Sequence, residues 1–187
     1  MSGHSKWSQI KHKKALTDAK KGASFSKMVR EITIAARTGE PNPEANIRLK
    51  AAVERARAIG LPKDNIDRAI AKATGQEDGT ELFEFLYEAT APGGVAILIE
   101  GITDNKNRTI NEIKHMLSKY DARIADPGSV LWNFEKTWTE DSRHIYKPRF
   151  PTSPAIASAT AGLPSSLETL LEAISEHDDV QEVYTNL

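Results

Sequence analysis

The sequence predicts an α+β protein in which a three-helix bundle precedes small mixed units, the last of them truncated. Apolar residues recur at three- and four-residue steps as far as residue 75, and the period changes to that of strands from about residue 82. A length of 187 residues accommodates one large domain or two to three small ones. The divisions that follow are 1–79, 80–137 and 138–187.

Between Lys20 and Thr38, the residues Phe25, Met28, Val29, Ile32 and Ala36 share one helical face, and Gly39 supplies a stop. Asn42 and Pro43 are expected as N-cap and first residue of a second helix. It carries Ile47, Leu49, Val53, Ala56 and Ile59 and closes at Gly60. A third helix starts near Pro62, bears Ile66, Ala69 and Ile70, and stops at Gly75. "GQEDGTE" (75–81) follows as a linker. "FLYEATA", "PGG" and "VAILIEGIT" then read as a hairpin whose second strand is apolar enough to be buried on both faces. Thr109 and Glu112 predict a capping box for a helix with Ile110, Ile113, Leu117 and Tyr120. "GSVLWNFEK" alternates Val130, Trp132 and Phe134, as a half-buried strand does. One helix over a sheet makes 80–137 a small, ferredoxin-like α+β domain. "PRFPTSPAIASATAGLPSS" (148–166) is poor in charge and reads as linker. Ser165 and Glu168 form a second capping box, Leu167, Leu170, Leu171 and Ile174 make one helical face, and "DVQEVYT" closes as a strand.

The chain has no cysteine, which removes disulfides and thiolate metal sites. No run approaches the ~20 apolar residues that cross a bilayer, and the first twenty residues are polar and basic rather than a secretory signal. A cytoplasmic protein with no membrane partner is expected. The net charge of −1 conceals a strong asymmetry. Residues 1–30 hold seven lysines and Arg30 against Asp18, a net of +7. Residues 31–80 balance, and 81–187 stand at −8. A cationic head on an anionic body points to a polyanionic partner met by one end.

Within that head, Lys6, Lys13, Lys20 and Lys27 are spaced by seven, which on a continuous helix gives one slowly drifting stripe. Gly22 is expected to interrupt it, leaving an arm that orders on its partner. The nucleic-acid contacts expected are Lys6, Trp7, Lys11, His12, Lys13, Lys14, Lys20, Lys21, Lys27 and Arg30. Lysine binds phosphate without reading bases, and Trp7 can stack on an exposed base. The competing reading is a solvated terminus whose lysines serve solubility alone.

Many ordered motifs in this chain resemble the YebC-type regulatory protein family, whose mitochondrial relatives activate translation. They include "GHSKWSQIKHKK", "DAKKG", "LPKDNIDRAI", "PGGVAILIE", "TDNKNRT" and "DDVQ". The resemblance implies a helical domain and two α+β domains around a cleft, and a role in gene expression. Members of the family are described both as DNA-binding transcriptional regulators and as ribosome-associated translation factors that help at proline runs. The partner is then nucleic acid, either DNA or the rRNA and tRNA of the ribosome. The chain departs from the family between Lys136 and the terminal helix, where a longer third domain is normal.

A second anion contact is expected at Lys106, Asn107, Arg108 and Thr109, where a helix N-terminus offers amides and a favourable dipole. The alternative is that Asn105 and Asn107 shape a turn and Thr109 caps. "APGGV" lacks the P-loop lysine and reads as a turn. His4 and His12 have no companion ligands, and His177 in "EHDD" suits a helix C-terminus, so no metal or cofactor is expected. No Gly-x-Ser-x-Gly elbow or serviced nucleophile is present, and the reading is not an enzyme and has no small-molecule substrate. A different class remains beside it: a scaffold whose acidic domains bind a basic protein.

Overall fold

The computed structural model describes residues 4–75, 81–139, 143–149 and 164–187, with side chains for 21–75, 81–139, 143–149 and 166–187. Most of the 75–81 linker, the 150–163 part of the Pro-rich stretch and the capping side chain of Ser165 lie outside those residues.

Helix α1 (His4–Thr38) is a single helix of 35 residues, about 52 Å long at 1.5 Å per residue. It starts sixteen residues before the expected Lys20 and runs straight through Gly22. One helical glycine costs about 1 kcal/mol relative to alanine, too little to stop a helix flanked by Ala, Leu and Lys. A Cβ on Gly22 would meet nothing within 4 Å, so no packing requires the glycine there. Phe25, Met28, Val29, Ile32, Ala35 and Ala36 of α1 pack on helices α2 (Ile47–Ala58) and α3 (Lys63–Ala73). Leu49, Val53 and Ile66 fill the centre, and the small Ala52, Ala56 and Ala69 allow close approach of the axes.

The N-cap of α2 is Asn46, not Asn42. Asn42 instead accepts from Glu44 N at 3.0 Å, a local Asx turn. Asn46 Oδ1 accepts from Leu49 N at 3.0 Å while its amide donates to the carbonyls of Ala35 and Glu40, both at 2.8 Å. One side chain thus serves the start of α2, an orphan carbonyl in the last turn of α1 and the loop after it, which favours it over an earlier cap.

Strands β1 (Phe83–Ala91) and β2 (Val95–Thr103) form the expected hairpin, closed by Pro92–Gly94. Helix α4 (Lys106–Ser118) is capped by Asn105, whose Oδ1 accepts from Arg108 N at 3.0 Å. Thr109 is therefore not its cap but a buried first-turn residue. Strand β3 (Arg123–Ile124) follows, then β4 (Phe134–Trp138), β5 (His144–Pro148), helix α5 (Pro164–Ser175) and β6 (Val180–Thr185). The main sheet is antiparallel in the order β3-β1-β2-β6. An apolar β2 buried on both faces needs a neighbour on each edge, and β6 is the second. The sheet therefore draws on both sides of the 137/138 division, with the β4–β5 hairpin between.

Helices α4 and α5 cover one face through Ile113, Leu117, Leu170 and Ile174 on Ile97 and Ile99. The β4–β5 hairpin covers the other, with Phe134 and Val130 on Ala96 and Leu98. The sequence "GSVLWNFEK" is only partly strand: Leu131–Asn133 is a 3-10 turn and Trp132 is exposed. The cause is Glu88, buried in β1, whose carboxylate accepts the amides of Gly128, Val130 and Leu131 at 2.5, 2.6 and 2.8 Å. Satisfying a buried carboxylate outweighs continuing the strand. No helix among the described residues is long and apolar enough to cross a membrane.

Candidate nucleic-acid interface

The expected contacts divide by position along α1. Lys6, Trp7, Lys11, His12, Lys13, Lys14 and Lys20 lie on its helical backbone, but their side chains are outside the described set. Lys21 is exposed, its ammonium 5.5 Å from the centre of the Phe25 ring. Lys27 and Arg30 turn inward. Lys27 Nζ donates to Ser175 O at 2.6 Å, at the C-terminal end of α5, where the helix dipole favours a cation. Burial holds its ammonium below the usual lysine range, although Glu182 and Asp178 pull the other way. Arg30 donates to the Asp178 carbonyl and pairs with Asp179 Oδ1 at 3.0 Å.

Asp179 is the junction. Its side chain is 2% exposed, and Oδ2 accepts from Thr109 Oγ1 at 2.6 Å, Arg108 Nη2 at 2.7 Å and Thr103 Oγ1 at 3.1 Å. Burial alone would raise this carboxyl, but the bonds from Thr109 and Arg108 and the charge of Arg30 outweigh it and hold the group below the usual aspartate range. Gly101 makes the junction possible. The β2–β6 register shifts between Glu100 and Gly101, and a Cβ there would lie 2.1 Å from Asp179 O and 2.4 Å from the Phe85 ring. Ile102 N donates to that same carbonyl at 2.8 Å. Only glycine lets the two strands approach so closely.

At the second expected anion contact, Lys106, Asn107 and Arg108 are exposed in the first turn of α4. Lys106 Nζ stands 4.9 Å from the Phe83 ring centre. Arg108 is surrounded by carboxylates, Asp104 at 2.8 Å and Asp179 at 2.7 Å, and the Thr109 hydroxyl faces Thr103 and Asp179 inside the fold. His177 Nδ1 accepts from Asp179 N at 3.1 Å, so its proton is on Nε2, which meets Glu112 Oε2 at 2.9 Å. This specific partner accounts for His177 better than a helix terminus does. Among the described residues, Glu112, His177 and Asp179 bring ligand-type atoms within 4.8 Å of one another. Those atoms already serve each other or the two guanidinium groups. A cleft of about 630 Å³ opens here, lined by Arg30, Arg108, His115 and Glu176 with these residues.

Sequence reasoning passed over Asp179, which nothing in the residues around it sets apart from Asp178. Its partner Arg30 is 149 positions away, and no local signal links them.

Family models match most of the chain: "TACO1/YebC protein N-terminal domain" over residues 5–76 and "TACO1/YebC second and third domain" over 82–139. A probable transcriptional regulatory protein of Petrotoga mobilis is 56% identical over 136 residues, 73% of this chain. The match spans 54% of that relative, about half its length. One of the same description from Desulfosudis oleivorans is 42% identical over 187 residues, all of this chain and 72% of the relative. The crystal structure of a conserved hypothetical protein from Aquifex aeolicus superposes with a TM-score of 0.78 at 30% identity, covering 90% of each chain. The chain belongs to the TACO1/YebC family.

Proposed function

We propose that this protein is a non-enzymatic regulator of gene expression that grips nucleic acid with the lysine-rich first half of α1. One observation carries the reading: residues 1–26, ahead of the clamped Lys27 and Arg30, hold six lysines against Asp18, a net of +5, on one 35-residue helix whose second half is packed into the body. Lysines at positions 6, 13 and 20 repeat along that helix ahead of the packed region. Each phosphate they neutralise releases counterions, which gives affinity without base reading. The body, at −8 over residues 81–187, is repelled by the same polyanion and so orients the helix toward it. Names of relatives, as probable transcriptional regulators, favour DNA as the target.

The test is the variant with Lys11, Lys13, Lys14, Lys20 and Lys21 all changed to Glu. It should lose at least about a hundredfold in affinity for duplex DNA at low salt. Sedimentation of lysates then separates targets: co-migration with nucleoid DNA supports transcription, and lysine-dependent co-migration with ribosomes moves the function to translation. Indifference of both to the five substitutions would favour the scaffold reading instead.

A further inference from the structure

The apolar clusters of the bundle and of the sheet share no residue. The bundle's cluster lies between Phe25 and Ala73. The clusters on the two faces of the sheet lie between Phe85 and Tyr184. Polar bonds run from one part to the other: Lys27 to the Ser175 carbonyl, Arg30 to the Asp178 carbonyl and Asp179, Gln181 to the Lys27 carbonyl at 3.5 Å, and Arg48 to Glu84. Ile34 lies seven residues after Lys27, on the same face of α1. It is 3% exposed and belongs to none of these clusters. Two parts with separate cores and a polar junction behave like partners in a transient complex, for which relative motion is the expected state.

The bonds at this junction carry opposing costs. Docking takes Lys27 out of water, and that loss holds its ammonium below the usual lysine range in spite of Glu182 and Asp178. Glu182 is raised first by burial and, against Arg143, by Glu100 and by Glu31 of α1, a repulsion that crosses the junction. Arg48 and Glu84 are both exposed, where an ion pair contributes little. Arg30 stands 3.0 Å from Asp179 Oδ1, yet that buried oxygen receives no well-directed hydrogen bond. Without Arg30 the carboxylate keeps Arg108, Thr109 and Thr103, all on the sheet's side of the junction.

We infer that this junction is a hinge: the helical bundle swings away from the sheet as a unit, breaking the Lys27 and Arg30 bonds while the core contacts of both parts stay intact. Ser175 and Asp178 are already exposed, so their carbonyls and the released cations exchange one another for water. Asp179 keeps its internal partners throughout, and the swing strands no buried charge. The cleft of about 630 Å³ has Arg30 on the bundle's side and Arg108, His115 and Glu176 on the other. Its width is therefore set by the hinge. The inference needs no partner molecule and no residue of the first half of α1, so it stands apart from the proposed function.

Single-molecule energy transfer on the full chain tests this. The chain has no cysteine, so Glu54→Cys on α2 and Lys114→Cys on α4, both exposed, give two clean dye positions. The labelled protein should show two populations of transfer efficiency. Arg30→Gln and Lys27→Met should each raise the ratio of the minor to the major population about fivefold, as loss of one charge-assisted bond does. Lys21→Gln, which touches no group across the junction, should leave the ratio unchanged. Helix content by circular dichroism should stay constant in all three. One population whose transfer ignores both Arg30→Gln and Lys27→Met would overturn the inference. So would a change in transfer matched by loss of helix content, since the bundle would then be unfolding and not swinging.

Discussion

Lys21 is exposed beside the Phe25 ring, whereas Lys27, six residues further along α1, is half-buried and donates to the Ser175 carbonyl. Arg30, three residues beyond, reaches the buried carboxylate of Asp179. The sequence makes these cations equivalent; the fold does not. A helix end exposes carbonyls that attract any cation within reach, and α5 ends next to the packed half of α1. Charge near the body becomes a clamp between the helical bundle and the sheet, while Lys21 stays exposed.

Replacing Asp179 by Ala should strike the clamp hardest. It strips a shared acceptor from Arg30, Arg108, Thr103 and Thr109, and breaking a buried ion pair from one side costs about 3 kcal/mol. Urea unfolding would read this as a lower midpoint. Acid should act through the same group. Because the folded carboxyl lies below the ordinary 3.8, the unfolded chain binds more protons in that interval. The stabilisation is complete above about pH 4 and is lost as pH falls through the lower folded value. Glu182, which burial holds above the usual carboxylate range, acts in the opposite sense, so the Asp179→Ala variant isolates the aspartate's share of the pH profile.

Arg30→Gln and Lys27→Met should each cost about 1 kcal/mol of stability, as loss of a charge-assisted bond does, with nucleic-acid affinity held within about twofold. Should either variant bind nucleic acid far more weakly while remaining equally stable, the division of α1 into clamp and contact would fail. Gly22→Ala carries the smallest effect: it should stabilise by up to about 1 kcal/mol, read as a small rise in melting temperature, because the site is helical and open.

Elements with strong local patterns were legible in the residues: the 25–36 face of α1, the Pro62 start and Gly75 stop around α3, and the β1–β2 hairpin all follow from spacing and turn chemistry. Boundaries set by distant partners were not. Asn46 wins the cap of α2 because it also serves Ala35, and the strand expected from Gly128 begins only at Phe134 because Glu88 claims the amides before it. Thr109 looks like a cap until Asp179, 70 positions later, supplies its partner. For the candidate site, charge asymmetry directs attention to the helix, but nothing local separates Lys21 from Lys27. That distinction depends on where α5 ends.

The slope of log affinity against log salt for duplex DNA tests the account most directly. Neutralising Lys11, Lys13, Lys14, Lys20 and Lys21 as Gln should reduce its magnitude by about 4.5, at about 0.9 for each phosphate that a lysine no longer neutralises. The Lys27→Met and Arg30→Gln variants should leave it unchanged. A slope that ignored the five outer lysines, or that fell mainly with Lys27 and Arg30, would contradict the claim that the first half of α1 is the nucleic-acid contact.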